Sequence, residues 1–201
     1  MTYADTMAAM NAKRAQIGVA RAEIRALQAK APRQEVADYV LAGWDGPVLL
    51  SELFGDRRDL ILIHNMGTGC SSCTMWADGF NGVYDHLASR AAFVVASPNP
   101  VAAQKQFAKS RGWRFPMVSY EGSQFAEDMR FRRRGLDGCY AADEAMGGWN
   151  PGVSVFRREN GRIWRLSEAD FGPWDSFCLV YHLFDLVPGL EPHWAPRYRY
   201  A

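Results

Sequence analysis

Apolar positions along the chain keep two rhythms, and the places where one gives way to the other mark the elements. From Thr6 to about Lys30 the residues are rich in Ala, Arg, Lys and Gln with no proline, which predicts a helix. Met10, Ile17 and Ile24 recur at every seventh position, with Ala20 and Leu27 between them, and Pro32 closes the segment. Three heptads are too few to specify a coiled coil, so the stripe serves either its own domain or a homodimer contact. Val36 to Leu50 shows two short β-prone runs around Gly43, Asp45, Gly46 and Pro47, which predicts a hairpin; Ser51 then caps a helical turn holding Leu53 and Phe54.

Leu60 to His64 (LILIH) is a continuous apolar run, as expected of a strand buried on both faces. A glycine-bearing turn follows, then Cys70-Ser71-Ser72-Cys73 and a helical pattern through Met75, Trp76, Phe80, Val83, Tyr84 and Leu87. Ala92 to Ser97 (AFVVAS) predicts a second buried strand, Val101 to Lys109 a helix, and Phe115 to Tyr120 a short extended segment. Glu121 to Asn150 is glycine-rich and charged and reads as an irregular insertion. Order returns with Val153 to Phe156 and Ile163 to Leu166, joined through Asn160-Gly161 as a hairpin, and a helix is expected from about Trp174 to Leu186. The β-α-β-α succession implies parallel strands with right-handed crossovers. The class is therefore α/β: a central mixed sheet flanked by helices, with an N-terminal helical extension over 1–34 and the main domain over 35–201.

Composition narrows the partners. Of 201 residues 48% are hydrophobic and 22% charged, enough for a packed core. A formal net charge of +1 removes the argument for nucleic acid or an anionic membrane as partner. The arginines around Arg130, Arg132, Arg133 and Arg134 read as a solvated face. No apolar run is long enough to span a bilayer, and the N-terminus lacks a secretory apolar region, so a cytoplasmic location is expected. With four cysteines, a close pair in a reducing compartment points to redox or metal chemistry.

Cys70 and Cys73 stand at the predicted start of a helix, where unpaired N–H groups and the positive dipole end favour a thiolate. Cys70 is the natural attacker in thiol–disulfide exchange and Cys73, a turn deeper, the resolver. A tetrahedral zinc site needs four ligands, whereas His64, His86, Cys139, Cys178, His182 and His193 are scattered singly. No metal or exogenous cofactor is expected, since the cysteine pair itself carries the electrons. Cys178 reads as a buried apolar residue and Cys139 as a loop cysteine.

Strand, dithiol and helix in direct succession resemble the thioredoxin superfamily. The stretches ADYVLAGWDGPVLLSELFGDRRDLILIHNMG, GCSSCTMWADGF, GWRFPMVSY and PGVSVFRRENG resemble more closely a bacterial thioredoxin-like family known only as domain of unknown function 899. The resemblance implies a thioredoxin-like fold and a dithiol–disulfide oxidoreductase acting on protein or small-molecule disulfides, recharged by a separate reductant. It also implies a cis proline opposite the dithiol, for which Pro151 after Asn150 is the positional match and Pro116 the weaker one. Pro151, Asn150 and Trp76 are the expected substrate-contacting residues. Where thioredoxins carry a buried acid six residues before the first cysteine, this chain has His64, whose imidazole suits a proton shuttle. Trp76 and Asp78 on the dithiol helix belong to the resemblance as well.

Two other functions compete. A peroxiredoxin-type thiol peroxidase would pass through a sulfenic acid, but that family expects Thr where Cys70 stands and a proline shortly before it. A non-catalytic binding module would keep the pair as a structural or switch disulfide. Burial of both sulfurs favours the module, and an accessible Cys70 favours the enzyme.

Overall fold

The N-terminal segment is helical because its start is capped and nothing inside it breaks the ladder. In the computed structural model, which describes residues 1–132, 147–172, 175–187 and 194–200, helix α1 spans Tyr3–Lys30. Thr2 Oγ1 accepts the Asp5 N–H at 3.2 Å while the Asp5 carboxylate accepts the Thr2 N–H at 2.9 Å, a reciprocal capping box. None of the residues of α1 is buried. The chain divides into two units, Met1–Gln34 and Glu35–Ala201.

The second unit is built on an eight-stranded mixed sheet in the order β1-β8-β7-β4-β5-β6-β2-β3. Its strands are β1 (Gln34–Val36), β2 (Val40–Gly43), β3 (Gly46–Leu49), β4 (Asp59–His64), β5 (Ala92–Ser97), β6 (Met117–Ser119), β7 (Gly152–Glu159) and β8 (Arg162–Asp170). β4, β5 and β6 run parallel, β7 pairs antiparallel with β4, and β8 pairs antiparallel with β7. The apolar run Leu60–His64 thus occupies an interior strand between β5 and β7, as its lack of alternation requires. The β7–β8 hairpin turns on Asn160 and Gly161 at φ 53° and 73°, the pair of positive angles that Asn-Gly tolerates.

Between β4 and β5 lie α2 (Ser71–Gly82) and α3 (Tyr84–Arg90), and α4 (Val101–Arg111) crosses from β5 to β6. Two short helices, α5 (Phe125–Asp128) and α6 (Leu179–Phe184), complete the set. The last helix starts later than its apolar pattern suggests. The Asp175 carboxylate accepts the N–H groups of Phe177 and Cys178 at 2.5 and 3.0 Å, a local turn that competes with helix until Cys178.

Two apolar clusters cover the two faces of the sheet, and β4 feeds both by its period of two. Leu60 and Leu62 join Val94, Val118, Phe125, Phe131 and Phe156 on one face. Ile61 and Ile63 join Phe93, Val95, Phe115, Trp76 and both cysteines of the pair on the other. No helix among the described residues is long and apolar enough to cross a membrane. Arg133, Arg134, Cys139, Trp174 and His193 lie outside the described residues.

Candidate active site

The chain leaves β4 at its carboxyl end and must turn into α2 within a few residues. Asn65 holds that turn: its Oδ1 accepts the Gly67 N–H at 2.7 Å and its Nδ2 donates to the Cys73 carbonyl at 3.3 Å. Gly67 has φ 102°, and a Cβ there would sit 2.5 Å from Asn99 Oδ1, so the position accepts only glycine. Asn99, just after β5, takes the Thr68 N–H on that same oxygen at 2.8 Å. The loop before the dithiol is thereby tied to the ends of two neighbouring parallel strands.

Cys70 is the N-cap of α2, with extended backbone at φ −102° and ψ 107°. Its Sγ accepts the N–H of Cys73 at 3.1 Å, the bond that a Ser or Asp oxygen makes at an ordinary N-cap. A thiolate accepts such a bond more strongly than a thiol does. Cys73 lies one turn in, and its Sγ accepts the Met66 N–H at 3.5 Å. Burial and then the neighbouring Cys70 sulfur push the Cys73 thiol well above its ordinary range, against the smaller opposing effect of the backbone N–H groups. Both cysteines are buried, Cys70 at 7% exposure and Cys73 at 2%.

The C-terminal segment reaches the same loop. Tyr198 donates its hydroxyl to the Thr68 carbonyl at 2.9 Å, its ring meets Phe107 edge-on, and its carbonyl accepts from Arg111 at 2.6 Å. Burial raises the Tyr198 hydroxyl above its ordinary range, and the charges of Cys70 and Cys73 add to the rise, so the phenol stays a neutral donor beside the sulfurs. Sequence reasoning missed Tyr198 and Asn65, because neither carries a local pattern that ties it to the pair. Asp78 pairs with the Arg111 guanidinium and accepts the Trp113 indole N–H at 2.8 Å, bracing α2 against α4.

The structure does not bring His64 to the sulfurs. As the residue two beyond Leu62, its side chain falls on the opposite face of β4 from the dithiol cluster. It is 1% exposed, with Nε2 2.9 Å from Ser154 Oγ, Nδ1 2.6 Å from the Tyr120 hydroxyl, and its ring stacked on Phe131 at 3.7 Å. Burial first, and the Arg165 guanidinium second, hold the imidazole well below 6.5, so it is neutral. The shuttle expectation fails because a period of two turns this position away from α2.

Pro151 follows Asn150 through a trans bond, and no cis peptide occurs among the described residues, which corrects the expectation of a cis proline there. Its carbonyl accepts the Phe171 N–H at 3.0 Å, and the Asn150 N–H donates to the Phe131 carbonyl at 2.9 Å. A proline lacking its N–H opens the strand without losing a ladder bond. Trp76 is 5% exposed and packs against Phe171 with ring centroids 5.5 Å apart, a core position on the dithiol face. Cys178 is buried in the same cluster, where burial raises its thiol above the ordinary range.

Residues 2–193 match the family described as bacterial protein of unknown function (DUF899). No curated protein matches the chain. Among solved structures it is similar to the bacterioferritin comigratory protein of Xanthomonas campestris, studied for alkyl peroxide reduction. That match has a TM-score of 0.51 at 14% identity, over 65% of this chain and 79% of that one. A cysteine-to-serine mutant of Xanthomonas campestris peroxiredoxin Q gives a TM-score of 0.50 at 14% identity, over 65% and 79% of the two chains. Peroxidoxin BcpB from Mycobacterium tuberculosis gives 0.49 at 26% identity, over 69% and 84%. The two Xanthomonas matches establish the fold, that of the thioredoxin-fold peroxiredoxins.

Proposed function

The chain belongs to the DUF899 family of bacterial proteins of unknown function, and we propose that it works as a thiol–disulfide oxidoreductase through Cys70 and Cys73. The observation that carries this reading is the N-cap hydrogen bond from the Cys73 N–H to Cys70 Sγ, which supports negative charge on the attacking sulfur. The raised Cys73 thiol keeps the second sulfur protonated while the first reacts, so the pair has divided roles.

Cys70 thiolate attacks a substrate disulfide R–S–S–R′, forming the mixed disulfide Cys70–S–S–R and releasing R′S⁻. Cys73 then gives up its proton, for which the departing thiolate is a base, and attacks the Cys70 sulfur. That forms the Cys70–Cys73 disulfide and releases RS⁻. Two electrons pass to the substrate, and a separate dithiol reductant returns them.

The expected outcome with 5,5′-dithiobis(2-nitrobenzoate) is that wild type releases two equivalents of thionitrobenzoate and closes the pair. Cys73→Ser releases one and keeps the other as an adduct that mass spectrometry maps to Cys70. In wild type, an adduct that maps to Cys73 with Cys70 untouched, or no release at all, overturns the reading. Burial of both cysteines favours a second one, a structural or switch disulfide without turnover. It predicts a single oxidation event with no catalysis of disulfide reduction when an excess of dithiothreitol is present. A peroxidase would instead consume alkyl hydroperoxide under those conditions.

A further inference from the structure

Residues 194–200 form neither helix nor strand, and they run from α6 to the loop before the dithiol. Trp194 meets Tyr181 and Phe184 of α6 edge-on, with ring centroids 5.9 and 4.8 Å apart. Arg197 to Tyr200 are all exposed. Among the described residues Tyr198 is tethered by its hydroxyl on the Thr68 carbonyl at 2.9 Å, its carbonyl on Arg111 Nη1 at 2.6 Å, and its ring on Phe107 at 6.2 Å. The receiving groups are fixed without it. Asp78 holds the other two guanidinium nitrogens of Arg111, and Asn99 Oδ1 takes the Thr68 N–H. What they offer is an acceptor, a charged donor and an apolar ring, which together suit one aromatic residue of an extended chain. The place adjoins the sulfurs: Thr68 precedes Cys70 by two residues, and the charges of Cys70 and Cys73 both reach the Tyr198 hydroxyl. Cys70 is 7% exposed, so a disulfide reaches its sulfur only after a neighbouring group moves, and an exposed side chain on so few tethers is a group that can.

We propose that Tyr198 occupies a docking site for an aromatic residue in an extended polypeptide substrate, and that the substrate reaches Cys70 by displacing it. The incoming residue takes over the Arg111 donor with its main-chain carbonyl and the Phe107 ring with its side chain; a tyrosine also takes the Thr68 carbonyl. An attached segment competes at an effective concentration on the order of millimolar, so it acts as a built-in competitive inhibitor and raises KM. That the displacing chain carries a disulfide rests on the oxidoreductase reading; that the site takes an aromatic residue does not.

Two measurements separate those claims. Docking is read on full-length Tyr198→Ala by iodoacetamide alkylation of Cys70, mapped by mass spectrometry, with an acetylated and amidated peptide copying residues 195–200 added in trans. The variant is expected to react several-fold faster than wild type, and the peptide to return it saturably to the wild-type rate. The same peptide with alanine in place of the residue copying Tyr198 is expected to leave the fast rate unchanged. Turnover is read with excess dithiothreitol on the symmetric disulfides of Ac-Cys-Gly-Tyr-NH2 and Ac-Cys-Gly-Ala-NH2. In wild type the tyrosyl disulfide is expected to show a kcat/KM about tenfold higher, and Tyr198→Ala to lower its KM several-fold. A variant no faster than wild type, or a rate that the peptide does not slow or slows equally without its tyrosine, overturns the docking site. Equal turnover of the two disulfides, or a KM that Tyr198→Ala does not lower, overturns displacement by substrate and leaves the oxidoreductase standing. Protection by the peptide with no turnover of either disulfide keeps the docking site and overturns the oxidoreductase.

Discussion

The buried imidazole of His64 makes a stability prediction with a definite sign. Its folded-state pKa is held well below 6.5, by burial and then by Arg165, so the native protein keeps it neutral while an unfolded chain takes up a proton near the ordinary value. The stabilisation is fully present above about pH 6.5 and is lost as the pH falls through that value towards the folded-state pKa. Integrated from pH 7.5 to 5.0, one such group costs about 2 kcal/mol. His64→Phe retains a ring against Phe131 but cannot titrate. It deprives the Tyr120 hydroxyl and Ser154 of a partner, costing about 2–4 kcal/mol at neutral pH. Urea unfolding of both proteins at pH 7.5 and 5.0 is the assay, and subtracting one from the other removes every group they share. The wild type should lose about 2 kcal/mol more than the variant on acidification. Equal losses would refute the claim that His64 is buried neutral, and would reopen it as a group that exchanges protons.

Two further predictions follow from close approaches. At Gly152, a Cβ would lie 2.4 Å from the Phe131 ring and 2.5 Å from the Ala169 carbonyl, a backbone atom that cannot swing away, so Gly152→Ala should cost about 3 kcal/mol in denaturant unfolding. A loss below about 0.5 kcal/mol would show that the strand start yields freely. At the dithiol, Tyr198→Ala removes the ring that meets Phe107 and the hydroxyl bound to Thr68, and should speed iodoacetamide alkylation of Cys70 several-fold. Tyr198→Phe, which loses only the hydroxyl, should fall between; an unchanged rate in the Ala variant would show that Tyr198 does not screen the sulfur.

Much of the fold was legible because the main strands announce themselves by composition. LILIH and AFVVAS are each too short for a helix and too apolar for a surface strand, and they fall in β4 and β5. Asn160-Gly161 marks a turn that few other pairs can make. Less legible were elements whose ends depend on one competing bond. The last helix begins at Leu179 because Asp175 captures the N–H groups that an apolar pattern would assign to a first turn. The edge strand β1 is three residues long, below the length at which a period can be counted.

The candidate site shows why spacing alone misleads about chemistry. Counting six residues back from Cys70 gives His64, but a strand sends successive side chains to opposite faces, and the face matters more than the offset. Leu60, Leu62 and His64 share one parity and pack with Phe125 and Phe131, while Ile61 and Ile63 pack with Cys70 and Cys73. The residue that does serve the dithiol from this strand end is the next one, Asn65, whose amide joins Gly67 to the first turn of α2. An amide cannot move protons at neutral pH, so Asn65 positions the loop and the first turn of α2 by hydrogen bonds and supplies no base to Cys73. The helix terminus and the Cys73 N–H both act on Cys70 Sγ, and the proposed exchange reaction draws on them. It follows that replacing His64 should alter stability far more than exchange rate, whereas replacing Asn65 should alter both.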